Sequence, residues 1–176
     1  MKTAESLREG LRQLPIRPVY LISTADQERS NIITIGMFAF FSGNPSLVGI
    51  GVKPSRYSYD LIRNSGEYVV NVVNERLMSA VRTCGENSGR DFDKFKKAQL
   101  TPVKGDKVSA PYIKESPMSI ECKVVQTMET GDHVWFIGEV QTVHKDEAYD
   151  WTQGLLFKWI KDQGFYFKVG ERMGAY

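Results

Sequence analysis

Residues 46–66 read SLVGIGVKPSRYSYDLIRNSG, and one short span passes from strand to turn to helix. Ser46–Val52 is apolar, short and rich in β-formers, which predicts a buried strand. Pro54 breaks the ladder. Apolar residues then fall at Tyr57, Leu61 and Ile62, predicting a helix over Tyr57–Asn64 with Gly66 where a helix C-terminus wants it. Ser55 or Ser58 is the expected N-cap. The junction gathers Lys53, Ser55, Arg56 and Ser58. A helix start presents unpaired N–H groups and a partial positive charge, so hydroxyls and a guanidinium collected there suit a phosphate. An ordinary cap beside a solvated arginine fits the same residues.

Working outward, Val19–Thr24 alternates and is β-branched, DQERSN makes a turn, and Asn31–Phe41 forms another extended apolar run before the turn SGNPS. Three neighbouring strands at hairpin spacing predict an antiparallel meander. On the other side, Tyr68–Val73 reads as a strand and Glu75–Thr83 as a helix closed near Gly85. The polar stretch GENSGRDFDKFKKAQL then leads to a loop containing Pro102 and Pro111. Strands return at Met118–Thr127, His133–Val143 and Phe165–Val169, while Trp151–Trp159 fits a short helix or an irregular insert. The two hairpins have no helix between their strands, so an open βαβ sheet fits poorly. The expected class is mainly β: a closed or partly closed antiparallel barrel with peripheral helices.

With 176 residues and 41% hydrophobic content, the chain can close one core, and a single domain over 1–176 is expected, with a helical segment at about 1–14. The formal charge of +2 is scattered among acids, which argues against nucleic acid and against anionic membrane. MKTAESLREGLRQL is charged and amphipathic, without a signal-peptide core, and no window approaches a membrane span, so a cytoplasmic protein is expected. Cys84 and Cys122 have no partners at metal-ligand spacing. No metal site is expected, and both read as reduced structural thiols.

Two further motifs carry chemistry. In SGRDFDKF, Ser88 and Gly89 would let the backbone approach a ligand, while Arg90 and Lys94 supply positive charge, with Lys94 the foremost anion partner. A solvated loop in which Asp91 and Asp93 cap the next turn fits equally well. GDHVWFIGEVQTVH holds both histidines. His133 follows a Gly-Asp turn that places it at a barrel rim, where it can donate to a cofactor or exchange protons near neutral pH. His144 reads as a solvated strand end. Nucleophile elbows, dinucleotide fingerprints and phosphate-loop motifs are absent from the sequence. Aromatics cluster at Phe38, Phe40 and Phe41, at Trp135 and Phe136, and in FKWIKDQGFYF. They suit a core, a dimer interface, or the walls of a planar cofactor.

In this order the pieces resemble the flavin reductase-like family of flavoproteins, whose fold is the FMN-binding split barrel. The likeness runs from about Pro15 to the C-terminus. It is carried by RPVYLISTADQERSNIITIGMFAFFSGNPSLVGIGVKPSRYSYDLIRNSGEYVVNVV and then by SGRDFDKF and GDHVWFIGEV. Within the family the chain is most similar to the flavoredoxin and archaeal ferric-reductase type. The resemblance implies FMN, or FAD, near a homodimer interface. It also implies NAD(P)H as electron donor, with free flavin, ferric complexes or a protein as acceptor. By position it places Asn31, Ile33 and Thr34 along the isoalloxazine ring, with Met37 where relatives often carry tryptophan. Ser55, Arg56 and Ser58 fall in the phosphate turn, and Ser88, Gly89, Arg90 and Lys94 beside the phosphate or ribityl chain. His133 falls next to the flavin as the catalytic candidate, and Tyr166 matches a late aromatic that packs on the cofactor. A flavin-dependent oxidoreductase needs no acid–base pair of its own, because the ring delivers hydride or electrons. A non-catalytic flavin-binding or structural split barrel is the alternative, kept open by the missing nicotinamide fingerprint.

Overall fold

Alternating, β-branched stretches pair as hairpins, and their register decides which face each side chain takes. The computed structural model describes residues 6–12, 14, 16–160 and 163–170. Its strands are β1 (Arg17–Pro18), β2 (Tyr20–Ala25), β3 (Ser30–Ile35), β4 (Phe38–Gly43), β5 (Ser46–Val52), β6 (Glu67–Val72), β7 (Pro102–Val103), β8 (Tyr112–Ile113), β9 (Met118–Thr130), β10 (His133–Lys145), β11 (Leu155–Ile160) and β12 (Gln163–Lys168). The helices are α1 (Leu7–Arg12), α2 (Tyr57–Ser65), α3 (Met78–Glu86) and α4 (Lys94–Lys97). Of the expected N-terminal helical segment, residues 1–5 and 13 lie outside the described residues. No helix among the described residues is long and apolar enough to cross a membrane.

The main sheet has seven antiparallel strands in the order β3-β2-β6-β9-β10-β5-β4. The expected meander is corrected here. Asn31–Phe41 is two strands, not one, and β3 and β4 stand at opposite edges of the sheet although only Gly36 and Met37 separate them. The sheet curls until β3 comes against β5 across a seam, and the Gly51 N–H donates to the Met37 carbonyl at 2.9 Å, carrying the β4–β5 ladder up to that seam. The result is a split antiparallel barrel. A Cβ on Gly51 would stand 3.0 Å from Met37 Cε, so the missing side chain leaves room for Met37 to lie over β5.

Inside the barrel, Ile22, Ile33, Ile50, Tyr68, Val70, Cys122 and Phe136 form one core, and Ile62 of α2 joins it. On the other face, Leu21 and Ile32 pack with Val81 and Cys84 of α3, Phe95 of α4, and Leu155. β2 therefore sends neighbouring residues to two cores, which is why Leu21 and Ile22 are both fully buried.

Other boundaries shift for local reasons. Glu75–Leu77 is a 3₁₀ turn capped by Asn74, and α3 continues through Gly85 to Glu86. Trp151–Trp159 resolves into a 3₁₀ turn at Trp151–Gln153 followed by β11, which pairs with β12 and β1 in a three-stranded sheet. The polar stretch after Gly85 contains α4, whose N-cap Asp93 accepts from the Lys96 N–H.

Candidate functional site

The site is built along β3 and across the seam. Tyr57–Ser65 forms α2 as the apolar spacing predicts, and Gly66 closes it in the left-handed region at φ 67°. The expected serine cap is corrected: Arg56 is the N-cap and no side chain caps the helix, which leaves the Ser55 and Ser58 hydroxyls for other work. Ser58 is buried, and its Oγ accepts from Asn31 Nδ2 at 2.7 Å. That bond ties the first turn of α2 to β3.

One chamber of about 280 Å³ is lined by Asn31, Ile33, Thr34, Ser55, Arg56, Ser58, Ser88, Gly89, Arg90 and Lys94. It continues across the seam into a smaller one of about 160 Å³, which adds Met37, Lys53 and His133. On the other side of Thr34 it opens into a wider cavity of about 760 Å³ between α3 and the β11–β12 hairpin, lined there by Met37, Arg82, Phe157 and Tyr166. The residues that the resemblance placed around the flavin thus line three adjoining cavities that share Thr34, though residues 31 and 166 are far apart in the chain.

Lys94 is the most constrained group in it. The residue is only 5% exposed, and its Nζ donates to the carbonyls of Ile32 at 2.8 Å and Cys84 at 2.7 Å. One N–H of the ammonium remains for a ligand. Burial holds its pKa below the ordinary lysine value, the Cys84 thiol opposes that, and the Arg56 guanidinium depresses it further. Two cations crowding one pocket favour an anion between them. Arg56 makes no side-chain hydrogen bond or ion pair among the described residues.

The remaining motif residues divide their work. Arg90 donates to the Ser55 carbonyl at 3.2 Å and lies over the Tyr57 ring at 5.5 Å, while Arg29 lies over the same ring at 5.6 Å. Arg90 therefore braces the turn. A Cβ on Gly89 would fall 2.2 Å from Asn31 Oδ1 and 2.6 Å from Tyr57, so the missing side chain makes room for these two side chains in the pocket wall. Tyr166 packs on Phe157 with ring centroids 5.3 Å apart.

His133 and His144 separate as expected, but His144 is not a solvated end. Its Nε2 lies 2.7 Å from Glu121 Oε1, and its ring stacks on Tyr112 at 4.5 Å. Reading along the strand missed this, because Glu121 sits on the neighbouring strand β9. Sequence reasoning also missed Tyr57, Cys84 and Gly85 in the groove wall. Cys84 directly precedes the Gly85 whose place against Thr34 leaves 3.4 Å for a Cβ, and nothing in its spacing marked it. Burial pushes the Cys84 thiol up to about 11, so it is a neutral wall and not a nucleophile. Among the described residues no cluster of His, Cys, Asp or Glu is arranged to hold a metal ion.

A seam with hydroxyls and cations at one end and aromatic walls at the other suits a flat ligand with an anionic tail. The chain belongs to the flavin reductase like family, whose members are flavin-dependent oxidoreductases: the model of the flavin reductase like domain matches residues 12–159. An uncharacterized protein of Archaeoglobus fulgidus is 36% identical over 152 residues, covering 86% of this chain and 85% of that protein. The flavoredoxin of Desulfovibrio vulgaris (Miyazaki F) superposes with a TM-score of 0.85 at 28% identity, over 99% of this chain and 97% of its own. The NADH-dependent FMN reductase AsuE2 of Streptomyces nodosus subsp. asukaensis is 25% identical over 130 residues, covering 74% of this chain and 69% of its own.

Proposed function

We propose that the protein binds FMN in the seam, accepts hydride from NAD(P)H, and passes electrons to free flavin, a ferric complex or a protein acceptor. The observation that carries this reading is the pairing of Arg56 and Lys94 around the Ser55–Ser58 turn, at one end of a groove walled by aromatic and apolar side chains. The donor set fits a phosphate, and β3 offers Asn31, Ile33 and Thr34 to a planar ring. Bound FMN would supply the redox chemistry itself. The chain's own residues then have four tasks. Ser55, Ser58, Arg56 and Lys94 hold the phosphate, Met37 and Thr34 support the ring, His133 meets its edge across the seam, and Tyr166 with Phe157 shields the wider cavity from water. The likeness to an NADH-dependent FMN reductase, AsuE2, and to a flavoredoxin supports the same reading.

Anaerobic addition of NAD(P)H to the FMN-loaded protein is expected to bleach the flavin absorbance. A yellow protein that neither nucleotide bleaches would leave a flavin carrier and overturn the enzymatic reading. Arg56→Ala is expected to weaken FMN by about 10- to 150-fold, the equivalent of about 1.5–3 kcal/mol, and to spare riboflavin, which lacks the phosphate. Equal losses in paired titrations would remove Arg56 from the phosphate site.

A homodimer belongs to the same proposal. Phe40 is 70% exposed and Phe41 41% exposed on edge strand β4, where Phe41 meets Trp135, which pairs with the exposed Met128 of β9. An isologous contact would cover them. Sedimentation of the FMN-loaded protein is expected to give twice the chain mass, and a stoichiometrically loaded monomer would refute the dimer.

A further inference from the structure

The pairing of Val134 with Val52 brings the start of β10 against the end of β5, so the Gly131–Asp132 turn faces Lys53. Asp132 stands between two donors. Its Oδ1 lies 2.5 Å from His133 Nδ1, and its Oδ2 accepts from Lys53 Nζ at 2.5 Å. We propose that Asp132 and Lys53 are positioning residues that fix His133 with its proton on Nδ1 and Nε2 turned to the groove, tying the imidazole to the phosphate turn. This rests on the reading in which His133 meets the flavin.

The chemistry selects the tautomer. An ionised carboxylate only accepts, so an imidazole nitrogen at hydrogen-bond distance from it must carry the hydrogen. The Lys53 and His133 hydrogen bonds hold the Asp132 carboxyl below its ordinary range, so it is ionised at neutral pH. Lys53 in turn is anchored in the turn itself, where its carbonyl accepts from the Arg56 N–H at 2.9 Å. The charged groups facing His133 in this part of the groove are Lys53, Arg56 and Asp132. The β3 stretch Ile33–Ile35, Gly36 and Met37 bring no charge, and from β9 Thr130 donates its hydroxyl to the His133 carbonyl. His133 is 20% exposed, whereas Lys53 and Asp132 are 42% and 69% exposed. Exposed pairs add little to stability, so the bridge is suited to aiming a side chain more than to holding the fold.

The test uses Asp132→Asn, Lys53→Met and the conservative Lys53→Arg. In flavin-free wild-type protein, ¹⁵N imidazole NMR is expected to show His133 as the Nδ1–H tautomer, and Asp132→Asn should populate Nε2–H. With FMN bound, anaerobic reduction by NAD(P)H should slow about 10- to 100-fold in Asp132→Asn while FMN affinity is unchanged. Lys53→Met should fall between the two, and Lys53→Arg should restore the wild-type rate. A mixed tautomer in the wild type, or a wild-type tautomer in Asp132→Asn, would overturn the proposal. If the wild type holds Nδ1–H, Asp132→Asn loses it, and NAD(P)H reduces neither protein, the positioning stands and the enzymatic reading fails instead.

Discussion

Lys94→Met is expected to weaken riboflavin binding by about tenfold and FMN binding by about a hundredfold or more. The two numbers separate two roles. The ammonium joins the Ile32 carbonyl of β3 to the Cys84 carbonyl of α3, so its loss loosens the pocket for any flavin. In the proposed site its remaining N–H and its charge would act on the phosphate alone. Paired titrations of the two flavins check this, and equal losses would reduce Lys94 to a structural tether. A pH dependence follows with a definite sign. Burial, reinforced by Arg56, lowers the Lys94 pKa, so the charge is lost at lower pH than in an ordinary lysine. FMN affinity should therefore decline on the alkaline side, beginning below 10.5, and Lys94→Met should lack that decline.

Glu121→Ala is the second large effect, with an expected loss of about 3–5 kcal/mol in urea unfolding. The side chain is fully buried and accepts from the backbone N–H groups of Asp106, Lys107 and Val108, with His144 on Oε1. Burial pushes its carboxyl up, but those amides and the imidazole outweigh it and hold the pKa below 4.5. The folded pKa is the depressed one. Stability from this group is therefore complete above the unfolded value of 4.5 and lost as pH falls through the folded value. Glu121→Ala should flatten that acid limb, while His144→Ala should cost about 1–3 kcal/mol and leave flavin binding intact. An unchanged acid limb in Glu121→Ala would count against the assignment.

Much of this was legible because local signals and tertiary outcome agree. Ser46–Val52, Tyr57 to the Gly66 cap, and the Gly-Asp turn before His133 have sequences that already satisfy their own backbone. Elsewhere the deciding contact came from outside the segment. Asn31–Phe41 reads as continuous because Gly36 is a lone weak break in an otherwise apolar run, and the split shows only when β3 and β4 take opposite edges of the sheet. SGRDFDKF looks solvated because its polar residues are counted along the chain. Yet Lys94 turns inward to meet two carbonyls whose residues lie 62 and 10 positions away. His144 was misread for the same reason.

The two borders of the main sheet are unequal, and this bears on how the chain avoids self-propagating assembly. β3 is sheltered: α3 lies against it, Thr34 Oγ1 donates to the Val81 carbonyl, and Lys94 occupies the Ile32 carbonyl. β4 has no further strand on its outer side among the described residues, and it carries Phe40 and Phe41. A sheet with two bare, sticky borders can add chains indefinitely, whereas one with a single bare border can only pair off and stop. Guarding β3 for a ligand would thus also make association at β4 a terminating event.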